Sequence, residues 1–307
     1  MSKGVFFSIA ASVLFGVLYY YSTLLHPLTG EDIFAWRMLL TVPFMLVFTA
    51  LIGENRLVKS LWDRVLAQPS FFLVLCASSG LLGIQTWLFM WAPLHNKGLE
   101  VSLGYFMLPL VMVLADRVIY KGSLSGWQKL AVSAAAIGVL HEIYRVGGFS
   151  WPALLVAFGY PAYFILRRRF QIDNLGGLWF DLVLLLPAAA WFAVNGKLGH
   201  ELLIEFPALY WLIPLLGLIS AGALMSYIVA SRLLPFAVFG LLGYVEPVLL
   251  VVVALLIGET IRSTEWLTYI PIWLAVGFMA TEGTLYLLKS GKRRARNRGK
   301  IGEKRGT

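Results

Sequence analysis

Ten stretches of about 20 apolar residues follow one another along the chain. They lie at roughly 4–25, 33–52, 71–93, 101–119, 124–143, 150–166, 176–195, 209–231, 236–258 and 267–288. Each is long enough to cross the hydrocarbon core of a bilayer as a helix. The chain is 59% hydrophobic and only 13% charged, about half the charge of an ordinary soluble domain. Its mean hydropathy is +0.79. The expectation is an all-α membrane protein with ten transmembrane helices.

Several stretches contain proline: Pro43, Pro109, Pro161, Pro187, Pro214, Pro247 and Pro271. Neighbouring helices in a membrane bundle re-satisfy the backbone groups that a proline frees, so these residues do not argue against helix. Lys3 ahead of an apolar run invites a signal-peptide reading. The run is too long for a signal-peptide core and no small-x-small site follows Leu25, so an uncleaved first helix is expected. The one cysteine, Cys76, cannot form an intramolecular disulfide and reads as a small buried apolar residue.

Charge fixes an orientation. With the N-terminus in the cytoplasm, 20 of the 25 Lys and Arg residues fall on cytoplasmic segments. Four fall on outside loops (Lys97, Arg145, Lys197 and Arg262), and Arg37 lies within a span. This bias follows the positive-inside rule and places both termini in the cytoplasm. The net charge of +9 comes largely from the tail after residue 288. Rich in Gly, Lys and Arg, that tail is expected to be a disordered anchor drawn to anionic lipid. It has no interleaved stacking aromatics, so nucleic acid is not an expected partner. In the 53–70 loop, Leu57, Leu61 and Val65 recur at helical spacing, which predicts a short amphipathic helix on the cytoplasmic surface.

The chain also repeats itself. Trp36-Arg37-Met38-Leu39-Leu40-Thr41-Val42-Pro43 has a counterpart in Phe180-Asp181-Leu182-Val183-Leu184-Leu185-Leu186-Pro187. Phe15-Gly16 with Tyr20 matches Phe158-Gly159 with Tyr163, and Gly104-Tyr105 before Pro109 matches Gly243-Tyr244 before Pro247. The order of these matches predicts two inverted five-helix repeats, 1–146 and 147–288, followed by the tail 289–307. An odd number of spans per half turns the second copy upside down.

One segment resembles a known family. It runs Gln85-Thr86-Trp87-Leu88-Phe89-Met90-Trp91-Ala92, then Asn96-Lys97-Gly98-Leu99-Glu100-Val101-Ser102-Leu103-Gly104-Tyr105-Phe106, then Pro109-Leu110. It is similar to the tryptophan-rich end of span 3 and the start of span 4 in the RarD subfamily, in the EamA-type branch of the drug/metabolite transporter superfamily. Gly258-Glu259 is also similar to that family's Gly-Glu. Tyr120-Lys121-Gly122 departs from a second Gly-Glu common there, as do Leu108 and Glu246 from the residues usual before the two prolines. The resemblance implies a ten-helix secondary transporter in a bacterial inner membrane, with both halves related by a pseudo-two-fold axis.

A charge inside a span is costly and usually faces a cavity or a partner. Arg37 can capture a substrate carboxylate or form a structural pair. Asp181 can serve in a gate or hold a proton, or simply suit a helix N-terminus. Glu246, deepest of the three, is a candidate coupling site or a paired core glutamate. Gln85, Trp87, Trp91, Tyr105 and Tyr244 can line a cavity for an amphipathic molecule, or pack and anchor at the interface. His26, His95, His141 and His200 are scattered, so no metal or cofactor site is expected. His95 and Glu100 read as a solvated outer turn, and Glu142 and Glu282 as interfacial charges.

The leading function is a secondary transporter of a small, amphipathic organic metabolite or drug, working by alternating access. Its partners are the substrate, the bilayer, and a proton or counter-substrate. A membrane structural or interaction protein is the alternative. A lipid-acting enzyme ranks lower, because it needs at least three titratable groups converging at one interface.

Overall fold

The structure is a computed structural model. It describes residues 2–53, 55–119, 125–146, 150–234, 238–239 and 242–303, the last stretch as backbone alone from 286. Among these residues there are twelve α-helices and no strand. In chain order they are α1 (Ser2–Tyr21), α2 (Gly30–Leu51), α3 (Asn55–Ala67), α4 (Phe71–Trp91), α5 (Gly98–Ile119) and α6 (Gly126–Val146). Then come α7 (Trp151–Arg169), α8 (Leu175–Asn195), α9 (His200–Glu205), α10 (Leu209–Leu233), α11 (Val245–Leu256) and α12 (Trp266–Glu303).

Local chemistry sets several starts. Thr29 accepts from the Asp32 amide while the Asp32 carboxylate accepts from the Thr29 amide, a reciprocal cap on α2. Ser150 and Asn174 cap α7 and α8 through their side-chain oxygens. Helices run through Pro43, Pro109, Pro161, Pro187, Pro214 and Pro271. Pro247 sits in the first turn of α11, where no intrahelical donor is lost.

Among the described residues, six helices are long and apolar enough to cross a membrane, beginning at Lys3, Gly30, Phe71, Gly98, Leu175 and Leu209. Large apolar side chains cover the outside of the bundle, among them Val47, Leu73, Ile137, Trp191, Trp211 and Leu256. A water-soluble surface does not carry that much exposed apolar area. The chain is a multi-pass membrane protein. Inside, Leu18, Ile33, Met38, Leu88, Met90, Leu216 and Leu250 form the main core.

Contacts sort the helices into pairs: α6 with α12, α1 with α10, α5 with α7, and α2 with both α8 and α10. Further pairs are α4 with α8 and α7, and α11 with α1 and α5. Trp91, Gly98, Trp151 and Glu31 gather at one end of the bundle, the Trp91 end. Arg64, Arg167 and Asp181 gather at the other, the Arg167 end.

Four features differ from the sequence reading. The ninth stretch is not one helix: α11 has 12 residues, preceded by a turn at Gly243 and Tyr244. Glycine and the nearby proline weaken helix there. Helical backbone continues through Glu303, into the stretch expected to be disordered. Adding a residue to a formed helix is far easier than nucleating one, and Lys, Arg and Ala are good helix formers. Cys76 is exposed, not buried. A thiol is apolar enough to face lipid, so nothing drives it into the core. The amphipathic helix α3 is narrower than 53–70, and its Leu61 and Val65 are buried in a cluster with Phe180. Tyr120-Lys121-Gly122 lies outside the described residues.

Candidate functional site

A polar node lies in the bundle interior. Arg37, on α2, is only 3% exposed. Its Nε donates to Ser220 Oγ on α10 at 3.0 Å, while Nη1 has no hydrogen-bond partner. Its guanidinium carbon lies 5.5 Å from the centre of the Phe89 ring on α4, within cation–π range. Phe89 is itself ringed by Tyr19 at 4.8 Å, Phe15 at 6.3 Å and Tyr105 at 6.4 Å between centroids. Tyr105 on α5 and Tyr160 on α7 share a hydroxyl contact of 3.0 Å.

Glu246 completes the node electrostatically. It lies in the first turn of α11 and is attracted by Arg37, with Tyr105, Tyr160 and Tyr227 also in its field. The 12 residues of α11 span about 18 Å, little more than half of a ~30 Å hydrocarbon core. Glu246 therefore sits near mid-depth at the positive end of a half-helix, where an anion is favoured. It is deep in the bundle yet keeps part of its surface open.

Gln85 reaches this region from α4, one turn before Phe89. It is 2% exposed, and its Nε2 donates to the Leu155 carbonyl at 2.7 Å, leaving Oε1 unpartnered. The fit depends on Gly159: a Cβ there would lie 1.9 Å from Gln85 Nε2. Tyr244 lies in the turn before α11, half-buried. A separate shallow crevice between α2 and α8, lined by Val42, Met45 and Leu182 among others, carries no charged group.

Asp181 belongs to a different cluster, at the Arg167 end. It is fully buried. Its Oδ2 accepts from Arg167 Nη1 and from the Tyr163 hydroxyl, the latter at 2.8 Å. Arg167 also donates through Nη2 to the Asn174 carbonyl at 2.9 Å. Ser78 lies beside the carboxylate, although neither its hydroxyl nor Asp181 Oδ1 completes a hydrogen bond. Nearby, Arg64 of α3 donates to the Phe170 carbonyl at 2.7 Å and stacks 3.9 Å from the Phe71 ring centre. Arg37 and Asp181 therefore have separate partners.

Trp87 and Trp91 belong to the Trp91 end, not to the node. Trp87 Nε1 donates to Glu31 at 3.1 Å. The Trp91 ring lies 5.3 Å from Trp151 and 3.9 Å from His95, which stacks on it. Here Glu259 accepts from the Gly98 and Leu99 amides at 2.6 and 2.8 Å, capping α5. Gly258, at φ +98°, makes the turn that aims it. Burial pushes the Glu259 carboxyl above the usual range, the two amides pull it back, and Glu100 and Lys97 add smaller opposing effects. Glu100 also accepts from Lys97 and Ser150, so the outer turn is tied rather than free.

A third group joins α6 to α12 at this end. Thr268 donates to Glu142 at 2.8 Å and lies 2.9 Å from His141 Nδ1, which makes that nitrogen the donor. Arg145 pairs with both Glu142 (2.7 Å) and Glu265 (3.3 Å). Titratable groups do converge at one interface. They serve one another, however, and join two helices as a clasp.

Residue types alone did not disclose Tyr160, Phe89, Ser220 or Tyr227, because ordinary aromatics and serines abound in this chain. Arg167 opens the run Arg167-Arg168-Arg169, which charge pattern alone assigns to a cytoplasmic loop. Its i, i+4 spacing from Tyr163 was the available signal.

A helical bundle with a lipid-facing exterior and charges held at its centre is the architecture of a membrane transporter. No protein-family model matches the chain, but close relatives do. An uncharacterized transporter of Pasteurella multocida is 44% identical over 95% of this chain and 100% of its own length. The chloramphenicol-sensitive protein RarD of Pseudomonas aeruginosa is 42% identical over 95% of this chain and 98% of its own. A solved crystal structure matches with a TM-score of 0.57 at 15% identity, over 93% of this chain and 99% of that one. That last likeness concerns the fold alone. The chain belongs to the RarD family, in the EamA-type branch of the drug/metabolite transporter superfamily.

Proposed function

We propose that the chain is a secondary transporter that moves a small, amphipathic organic metabolite or drug across the bacterial inner membrane. It works by alternating access, with ten spans in two inverted five-helix repeats and both termini in the cytoplasm. The carrying observation is the buried node of Arg37, Tyr105, Tyr160 and Glu246, drawn from both halves of the chain.

The pairing of helices supports the repeat. Exchanging α1, α2, α4, α5 and α6 with α7, α8, α10, α11 and α12 turns the α1–α10 pair into α7–α4. It turns α5–α7 into α11–α1, and α2–α10 into α8–α4. All of these pairs occur, and α2–α8, α5–α11 and α6–α12 map onto themselves. Arg37 and Asp181 become equivalent positions. Closures at both ends, Arg167 with Asp181 and Glu259 with the α5 amides, suit a site that opens to one side at a time.

The sequence contains no phosphate-binding loop, so the driving force is a substrate or ion gradient. The test is flux in proteoliposomes under imposed gradients. Gradient-dependent uptake or efflux supports transport. A purified protein that binds and moves no small molecule under any gradient refutes it. The structural-protein alternative requires that Arg37→Ala and Glu246→Ala change stability and leave flux unchanged.

A further inference from the structure

We propose that the central node binds a small organic carboxylate with an apolar body, and that one proton enters with it on Glu246. This deepens the transport reading and rests on it.

Arg37 is the first warrant. A guanidinium has five donors and no acceptor, and water is excluded from this one. Ser220 satisfies Nε, yet Nη1 is buried with no partner. A buried cation with an unmatched donor is an incomplete site. A carboxylate matches it best, because two planar oxygens meet the planar fork. The surroundings set the rest of the ligand. Phe15, Tyr19, Phe89, Tyr105 and Tyr160 form a connected aromatic cluster, with Phe89 against the guanidinium. A mainly apolar body fits such a cluster. Gln85 Oε1, buried and unpartnered, adds one acceptor for a ligand donor.

Charge balance supplies the proton. Arg37 from α2 attracts Glu246, and the Glu246 charge in turn acts on Tyr105 from α5, Tyr160 from α7 and Tyr227 from α10. The tyrosines bring hydroxyl dipoles, so Arg37 and Glu246 are the only formal charges in this set, one of each sign. An entering carboxylate adds a second negative charge against one cation. In a low-dielectric interior that surplus is costly. Protonating Glu246 restores neutrality, with the proton supplied by water. Binding of the anion and uptake of a proton are then linked.

The experiment uses the purified full-length protein with two probes of nearly equal shape, phenylacetate and phenylacetamide. Melting temperature reports binding, and an indicator dye in weak buffer reports protons. Phenylacetate is expected to raise the melting temperature and to take up protons, approaching one per anion bound as the pH is raised so that Glu246 starts ionised. The amide is expected to do neither. Glu246→Gln should bind phenylacetate without proton uptake, and Arg37→Gln should weaken binding at least tenfold. The wild-type comparison stands even where a variant fails to fold. Equal binding of both probes, anion binding without proton uptake, or unchanged uptake in Glu246→Gln overturns the proposal. Flux of neutral solutes alone also overturns it while leaving the transport reading intact. Absence of all binding and all flux overturns both.

Discussion

Replacing Arg167 by methionine strands the Asp181 carboxylate in a place with no water. That carboxylate is fully buried, and its Oδ1 already lacks a partner. Without the guanidinium it keeps only the Tyr163 hydroxyl at 2.8 Å. Breaking a buried ion pair from one side costs about 3–5 kcal/mol. The converse change, Asp181→Leu, strands Arg167, which still has the Asn174 carbonyl at 2.9 Å. Its cost should fall nearer the lower figure. Removing both charges is different, because no uncompensated ion remains. The loss is then mainly the Tyr163 hydroxyl bond and the Arg167 bond to the Asn174 carbonyl, roughly 1 kcal/mol each. The single changes therefore sum to well above the double, giving a coupling of about 4 kcal/mol or more. Equilibrium unfolding in mixed micelles measures all four proteins. Single variants that each lose under about 1 kcal/mol, or a double variant equal to their sum, refute the assignment of this pair as a buried closure.

Four further outcomes follow from the geometry. Gly159→Ala should destabilise by about 1–3 kcal/mol, because its Cβ displaces the Gln85 amide from Leu155; adding Gln85→Ala should recover part of that loss in the same unfolding assay. Thr268→Val keeps the shape and removes both hydrogen bonds of the α6–α12 clasp, for about 1–3 kcal/mol. Glu259→Gln removes one of two acceptors on the α5 amides. Since burial raises the folded carboxyl above its ordinary value, the wild-type advantage should be largest at low pH and shrink as pH rises from about 4; an advantage that grows with pH in melting scans contradicts this. Cysteines placed singly at Lys97 and Arg168, with Cys76→Ser, should react with an impermeant maleimide from the outside and only after permeabilisation, respectively; the reverse pattern overturns the orientation.

Much of the fold was readable because a bilayer imposes one length scale on every span. Hydropathy located helices at nearly every expected stretch, with ends within a few residues. It misjudged the ninth, since apolar content measures suitability for lipid and not helix continuity: Gly243 and Pro247 interrupt a run that remains hydrophobic throughout. The tail failed for the opposite reason. Composition says that the segment after residue 288 cannot bury a core, but it does not say whether a preceding helix can extend into it. Cys76 shows the same confusion of apolar with buried, which holds in water and fails in lipid.

The site was legible only where a residue was out of place. Arg37, Asp181 and Glu246 stand out because charge inside a span demands an explanation. Their partners do not, because Tyr160, Phe89 and Ser220 are chemically ordinary and become site candidates only through position. The proposed inverted repeat accounts for how such positions arise. Inverted copies bring equivalent helices to opposite sides of one centre, so a node at the centre draws from both copies while each end keeps its own closure. Arg37 lies about two turns from the start of α2, and Asp181 just under two turns from the start of α8. Equivalent positions thus carry opposite charges and different partners: Ser220 for one, Arg167 for the other. In the proposed repeat the shared register sets where the two residues stand, and the difference in charge leaves one guanidinium with a donor still to satisfy.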